Sequence, residues 1–173
     1  MLRKIFIGTM LLAAMTVGVT HAQTNTASAN ISAELSLPIA IYSGFADLHF
    51  GGFMPGATEG TVTVPANPNS SRTATGGVVL VSNYYGFAGR VFVEGDPLAT
   101  YQLTFPVDPI TLTATNSSAT MTLTDITTYT ESGLFKLDAV GYQDVYIGAK
   151  ISVGVNQPQG GYLGTIPITA NYL

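Results

Sequence analysis

The stretch Asp144–Val153, DVYIGAKISV, decides the fold. Val145, Ile147, Ala149, Ile151 and Val153 are apolar and alternate with Asp144, Tyr146, Gly148, Lys150 and Ser152. Successive side chains of a β-strand point to opposite faces, so this period of two predicts a strand with one face on a core. The pattern recurs upstream. Ile110-Leu112-Ala114 and Met121-Leu123 alternate with Thr, and Tyr101-Leu103-Phe105 alternates with Gln102 and Thr104. Shorter runs are Ala46-Leu48-Phe50, Val62-Val64 and Val91-Val93, and Ile166-Ile168-Ala170-Tyr172 closes the chain. Gly77–Ser82 (GVVLVS) is apolar on both faces, which predicts a strand in mid-sheet. Pro55-Gly56, residues 65–71, Gly95-Asp96-Pro97 and residues 156–161 supply turn chemistry between the runs. Roughly eight to ten short strands spaced in this way predict an all-β chain folded as an Ig-like antiparallel β-sandwich.

Composition narrows the function further. The chain has 173 residues, enough for one domain, and no Cys, which excludes a disulfide framework, a thiol nucleophile, a zinc finger and an iron–sulfur site. Residues 1–22 (MLRKIFIGTMLLAAMTVGVTHA) begin with Arg3 and Lys4, continue through an apolar run and end on Thr20-His21-Ala22. That is the layout of a secretory signal peptide cleaved after Ala22, and the apolar run is short for a retained membrane anchor. The expected route is secretion through the periplasm to the cell surface or the medium. The remaining chain keeps four basic residues, Arg72, Arg90, Lys136 and Lys150, against ten acidic ones, a net charge of −6. Such a surface repels phosphate backbones, so nucleic acid is not an expected partner. No later stretch is long and apolar enough to predict a transmembrane helix. A small outer-membrane barrel would also alternate, but it calls for aromatic girdles and usually a terminal Phe. Here the aromatics are scattered, Pro167 interrupts the last run, and Leu173 is the final residue.

Reactive constellations are missing. His49 is the one His after the signal segment, with Asp47 on the same face of its run. A His–Asp pair or a partial metal site needs further ligands or a nucleophile, and neither a second His nor a G-x-S-x-G elbow follows. A solvent-facing strand His is the simpler reading. The acidic residues are scattered and form no calcium loop. No catalytic residue, metal site or cofactor is expected, and the chain is not read as an enzyme.

The two ends carry more information. From Ala29 to Ile41 every odd residue is apolar, and residues 28–36 place Ser, Asn or Glu between them. Thirteen extended residues span about 43 Å, roughly twice an ordinary strand. Pro38 falls inside the run, where it marks an edge or a break between two strands. The sequence therefore divides into an N-terminal arm, residues 23–37, and a β-sandwich domain, residues 38–173; one long strand switching between sheets is the alternative. An alternating arm suits β-strand addition, with Ile31, Ala33, Leu35 and Leu37 as the side chains that contact an acceptor. At the other end, Gly160-Gly161-Tyr162-Leu163-Gly164 leads into a terminal strand carrying Ile166, Ile168, Ala170 and the penultimate Tyr172.

That ending resembles the terminal strand of chaperone–usher pilins and spore-coat-U-like proteins. The resemblance implies that Gly160, Ile166, Ile168, Ala170 and Tyr172 belong to a strand that a periplasmic chaperone, or another subunit, contacts. Many such pilins carry a disulfide, which this Cys-free chain lacks. In order along the chain, Leu48-His49-Phe50-Gly51, Gly60-Thr61-Val62-Thr63-Val64, Gly76-Gly77-Val78, Val91-Phe92-Val93-Glu94-Gly95, Thr100-Tyr101 to Phe105-Pro106, and Asn156-Gln157-Pro158 before Gly161-Tyr162-Leu163-Gly164 resemble the bacterial secreted family called domain of unknown function 4402. The resemblance implies a secreted, pilin-like sandwich. The expected function is a structural subunit of a surface filament, built by self-association or with related subunits, with a periplasmic chaperone and outer-membrane usher as partners. A secreted coat or adhesion module that does not polymerise is the alternative.

Overall fold

The computed structural model describes residues 27–107 and 109–173. The expected signal segment, the first residues of the arm and Asp108 lie outside the described residues. Residues 27–34 contain no strand, and every described strand lies in the unit Leu35–Leu173. Twelve strands and no helix occur among the described residues: β1 Ala40–Ala46, β2 Phe53–Met54, β3 Gly60–Val64, β4 Thr73–Gly76, β5 Val79–Leu80, β6 Gly89–Glu94, β7 Tyr101–Thr104, β8 Ile110–Ala114, β9 Thr120–Tyr129, β10 Tyr142–Val153, β11 Tyr162–Leu163 and β12 Thr169–Tyr172. Every ladder is antiparallel. The all-β antiparallel class expected from the alternation is the one the chain adopts. The strand count is higher than expected because β2 and β11 have two residues each, too few to show a period, and because β4 (TATG) carries no alternation of large apolar residues.

Strand β10 organises the main sheet, whose order is β1-β6-β10-β9-β8-β11. Its two end strands do not pair with each other, so the sheet is open. One edge of β10 pairs with β9. The other edge is shared: Tyr142–Ile147 pair with β6, and Ala149–Val153 pair with β3, which in turn carries β4. The sheet branches at Gly148. The backbone leaving β3 crosses this residue so closely that a Cβ would overlap the Ala66 nitrogen and the Val64 carbonyl oxygen.

A second irregularity faces the branch. Gly148 pairs with Thr127 and Lys150 with Thr124, so Asp125 and Ile126 together oppose Ala149. This is a β-bulge, and Asp125 takes the left-handed conformation (φ 52°) that a short polar side chain tolerates. The bulge shifts the inward face of β9 from odd to even residues. Met121 and Leu123 point to the core before it, and Ile126 packs against both halves of the core after it. Lys150 forms an ion pair with Asp125 across the bulge.

The odd residues of β10 from Val145 to Val153 are all buried and run under two core clusters. Val145 and Ile147 join Val91 and Val93 of β6 beneath the two-stranded ladder β7–β12, which contributes Tyr101, Leu103, Ala170 and Tyr172. Ala149, Ile151 and Val153 join Val62 and Val64 of β3 and Met121 and Leu123 of β9. The ladder β2–β5 covers this second cluster through Phe53 and Leu80. A branched sheet thus forms one layer, and two separate ladders form the other, as in a β-sandwich with a divided second layer.

The expectation for Gly77–Ser82 is corrected. Only Val79 and Leu80 are in a strand, which pairs with β2 alone, and Val79 is exposed while Val78 is buried. The run is apolar on both faces because Val78 and Leu80 serve the core from a short cover piece, not because sheet lies on both sides.

On the outward face, Arg90 reaches Asp144 of the neighbouring strand with Nε at 2.9 Å from Oδ1 and Nη2 at 2.5 Å from Oδ2. The Tyr142 hydroxyl donates to the same carboxylate at 2.8 Å. The Arg90 hydrogen bonds hold the Asp144 carboxyl below its ordinary range, with the Tyr142 bond acting in the same direction and partial burial opposing both. A folded-state value below the unfolded one stabilises the fold above the unfolded value, and this contribution is lost as pH falls through the folded value. The window therefore lies below about pH 4. Melting temperature measured from pH 2 to 6 is expected to fall less steeply for Asp144→Asn than for wild type. Parallel curves would show that the pair adds nothing to stability.

Candidate functional site

Between the two ladders of the divided layer the structure leaves a groove of about 700 Å3 with an apolar floor and with Asp47, His49 and Arg90 among its lining residues. One wall follows the end of β1 and its continuation, through Ser43, Ala46, Leu48, His49, Phe50 and Gly51. The other wall is the segment from Gly160 to Ile168 that joins β11 to β12. Leu112, Met121, Leu123, Ile147 and Ile151 form the floor and are themselves buried, so the walls supply most of the solvent-facing surface.

Each wall presents some unpaired backbone, the outer edge of β1 on one side and residues 164–168 on the other, while His49 exchanges both its main-chain hydrogen bonds with Phe87. β1 pairs with β6 and with no other described strand. No backbone hydrogen bond joins residues 164–168 to another described strand. Pro167 explains part of this, since it has no N–H to offer a ladder. A sheet edge that faces an apolar floor is the arrangement to which an extended peptide adds as a further strand. Main-chain groups of the walls would bond its backbone while the floor takes every second side chain.

The wall beside β1 is held by Arg72. Its guanidinium donates to the Phe50 carbonyl, to that of Val81 at 2.9 Å and to that of Tyr84 at 2.6 Å, tying residues 50–52 to the loop after β5. Gly51 (φ 72°) lies against this guanidinium, where a Cβ would collide with it. His49 stacks on Phe87 with ring centroids 5.3 Å apart, and its Nδ1 accepts the Gly51 amide proton at 3.0 Å. The side chains of His49 and Asp47 are exposed and share no hydrogen bond. Among the described residues, no three His, Cys, Asp or Glu side chains group as metal ligands.

Of the sequence-derived residues, Gly160, Ile166 and Ile168 line this groove. Ile31 is 94% exposed and Leu35 97%; Ala33 is exposed as well, and none of the three lies in a strand. Leu37, 57% exposed, is tied down through its backbone: its N–H donates to Asp96 Oδ1 at 2.6 Å, and its carbonyl accepts from the Tyr172 hydroxyl at 2.8 Å. Gly160 heads the second wall beside the side chain of Asn116. Ile166 packs against both core clusters, Ile168 against the one under β7–β12, and Ala170 and Tyr172 lie in β12 opposite Leu103 and Tyr101. Sequence reasoning missed the wall from Ala46 to Gly51, and it missed Asp96. Pro167 was a legible signal for the opposite wall; Asp96 offered none, since it read only as turn punctuation.

A family model described as Domain of unknown function (DUF4402) matches residues 39–172. No curated protein and no solved structure matches the chain.

Proposed function

The chain belongs to the DUF4402 family, and on that footing we propose that it is a structural subunit of a bacterial surface filament that assembles by β-strand donation. The arm of one subunit enters the groove of the next. The observation that carries this reading is the groove, bordered by the free edge of β1 and by the unpaired residues 164–168, in a chain that also holds an exposed, alternating arm. Ile31, Ala33 and Leu35 enter the groove, and Leu37 sits at the junction between subunits. Each larger aliphatic side chain contributes about 1.5–3 kcal/mol on burial, and the new ladder covers the open edge of β1 and the unpaired backbone of residues 164–168. The role is structural and not enzymatic, and no cofactor takes part. Secretion through the periplasm follows from the signal layout. A chaperone and an usher are the expected helpers, because an open apolar groove aggregates unless it is covered during export.

A direct test uses protein lacking residues 23–37 and a fluorescent peptide of residues 27–37. Saturable binding, read by anisotropy, is expected for this peptide and not for a scrambled one that breaks the alternation. Absence of binding, together with a full-length protein that stays monomeric at all concentrations, would leave a coat or adhesion module that does not polymerise.

A further inference from the structure

We infer that Asp96 and Tyr172, by clamping the root of the arm, direct residues 29–36 to a second copy of the chain instead of to their own groove. The inference rests on the strand-donation reading above. Three hydrogen bonds build the clamp. The Leu37 N–H donates to Asp96 Oδ1, the Tyr172 hydroxyl donates to the Leu37 carbonyl, and the same hydroxyl accepts the Asp96 N–H at 2.7 Å. Gly95 makes the contact sterically feasible, because a Cβ there would overlap the Tyr172 hydroxyl. Pro38 follows immediately and biases Leu37 toward extended backbone. Both backbone groups of Leu37 are therefore committed, which fixes the peptide planes on either side of it.

Direction matters because the arm is long enough to serve itself. In the β1–β6 ladder Ala40 pairs with Glu94 and Ala46 with Arg90. The clamp lies past the Glu94 end and the groove opens at the Arg90 end, a separation of about 20 Å along β6 at ~3.3 Å per residue. Residues 29–36 span about 26 Å when extended. An arm that doubled back at Leu37-Pro38 would reach its own groove at an effective concentration in the millimolar range, well above that of any free subunit. Doubling back rotates the Leu37 N–H and carbonyl away from Asp96 and Tyr172. The clamp opposes that reversal, and the linkage between subunits stays head-to-tail and open-ended.

The experiment compares the full chain with Tyr172→Phe and with Tyr172→Phe/Asp96→Ala. Phe keeps the ring in the core, and the single variant serves if the double one does not fold. Sedimentation gives the assembled fraction, and hydrogen exchange of residues 30–36 in the monomer fraction reports where the arm lies. Wild-type monomers are expected to exchange these amides freely. In the variants they become protected, and assembly falls about tenfold for the loss of this set of bonds. Equal exchange and equal assembly in variant and wild type overturn the clamp. So does protection already present in wild type, or a loss of assembly without protection. If wild type never assembles but the variants alone protect the arm, the clamp stands and the filament reading fails.

Discussion

Leu35→Asp is expected to abolish assembly while leaving the unfolding of the monomer almost unchanged. Leu35 is 97% exposed, so its replacement disturbs no packed contact, and surface changes of this kind usually stay within about 0.5 kcal/mol. In the assembled state the same side chain would sit on the apolar floor made by Leu112, Met121 and Ile151. Assembly then loses about 1.5–3 kcal/mol of leucine burial. It also takes on the cost of placing a carboxylate on an apolar floor, in a groove whose lining guanidinium, Arg90, already pairs with Asp144, several kcal/mol after relaxation. Together these lower the association constant by about a thousandfold or more. Electron microscopy and sedimentation velocity at matched concentration measure the effect, and thermal melts of the monomer supply the control. The variant should still accept a peptide of residues 27–37, because its groove is intact. Filaments of Leu35→Asp indistinguishable from wild type would remove the arm from the mechanism.

Gly148→Val is expected to destabilise the fold by about 3 kcal/mol or more, the largest effect of a single substitution at the branch of the sheet. A Cβ at this position meets the backbone of residues 64–66, which cannot swing away as a side-chain tip can. Relief requires either separation of β3 from β10 or distortion of the bulge at Asp125, and both break ladder bonds above the buried Val62, Ile151 and Val153. Gly161→Ala is the control. Its Cβ would meet only Thr115 side-chain atoms at 3.5 and 3.8 Å, ordinary contact distances, and its effect should stay within about 0.5 kcal/mol. Urea midpoints at constant slope give both numbers. A loss below about 1 kcal/mol for Gly148→Val would mean that the branch is far more pliable than its backbone contacts indicate.

Much of the fold was legible before any coordinates. Val145, Ile147, Ala149, Ile151 and Val153 alternate in the chain and are buried in the structure. The face a strand residue occupies is set by the local geometry of the extended backbone, so alternation can be read from neighbours in sequence. The same holds for Leu112, Met121, Leu123, Val62 and Val64. Where the reading went astray, the deciding contact was distant. Gly77–Ser82 looked like a central strand because both faces are apolar, yet how many strands flank it depends on segments far along the chain. The phase change at Asp125 was likewise invisible: nothing near that residue announces that two residues must face Ala149.

The candidate site divides along the same line. Alternation alone made residues 29–37 readable as a strand in search of a partner, and Pro38 and Pro167 marked where pairing is interrupted. The groove has no sequence signature. It exists because β1 has one partner where it has room for two, because residues 164–168 pair with no described strand, and because β7–β12 and β2–β5 cover separate parts of the same floor. The clamp on Leu37 depends on Asp96 and Tyr172, 59 and 135 residues away. The sequence by itself determined the longer alternating strands and the side chains they turn inward, because both follow from the period of a single extended segment. Only the tertiary structure decided which edges remain unpaired and what holds the root of the arm, because hydrogen-bond partners are assigned by the path of the whole chain.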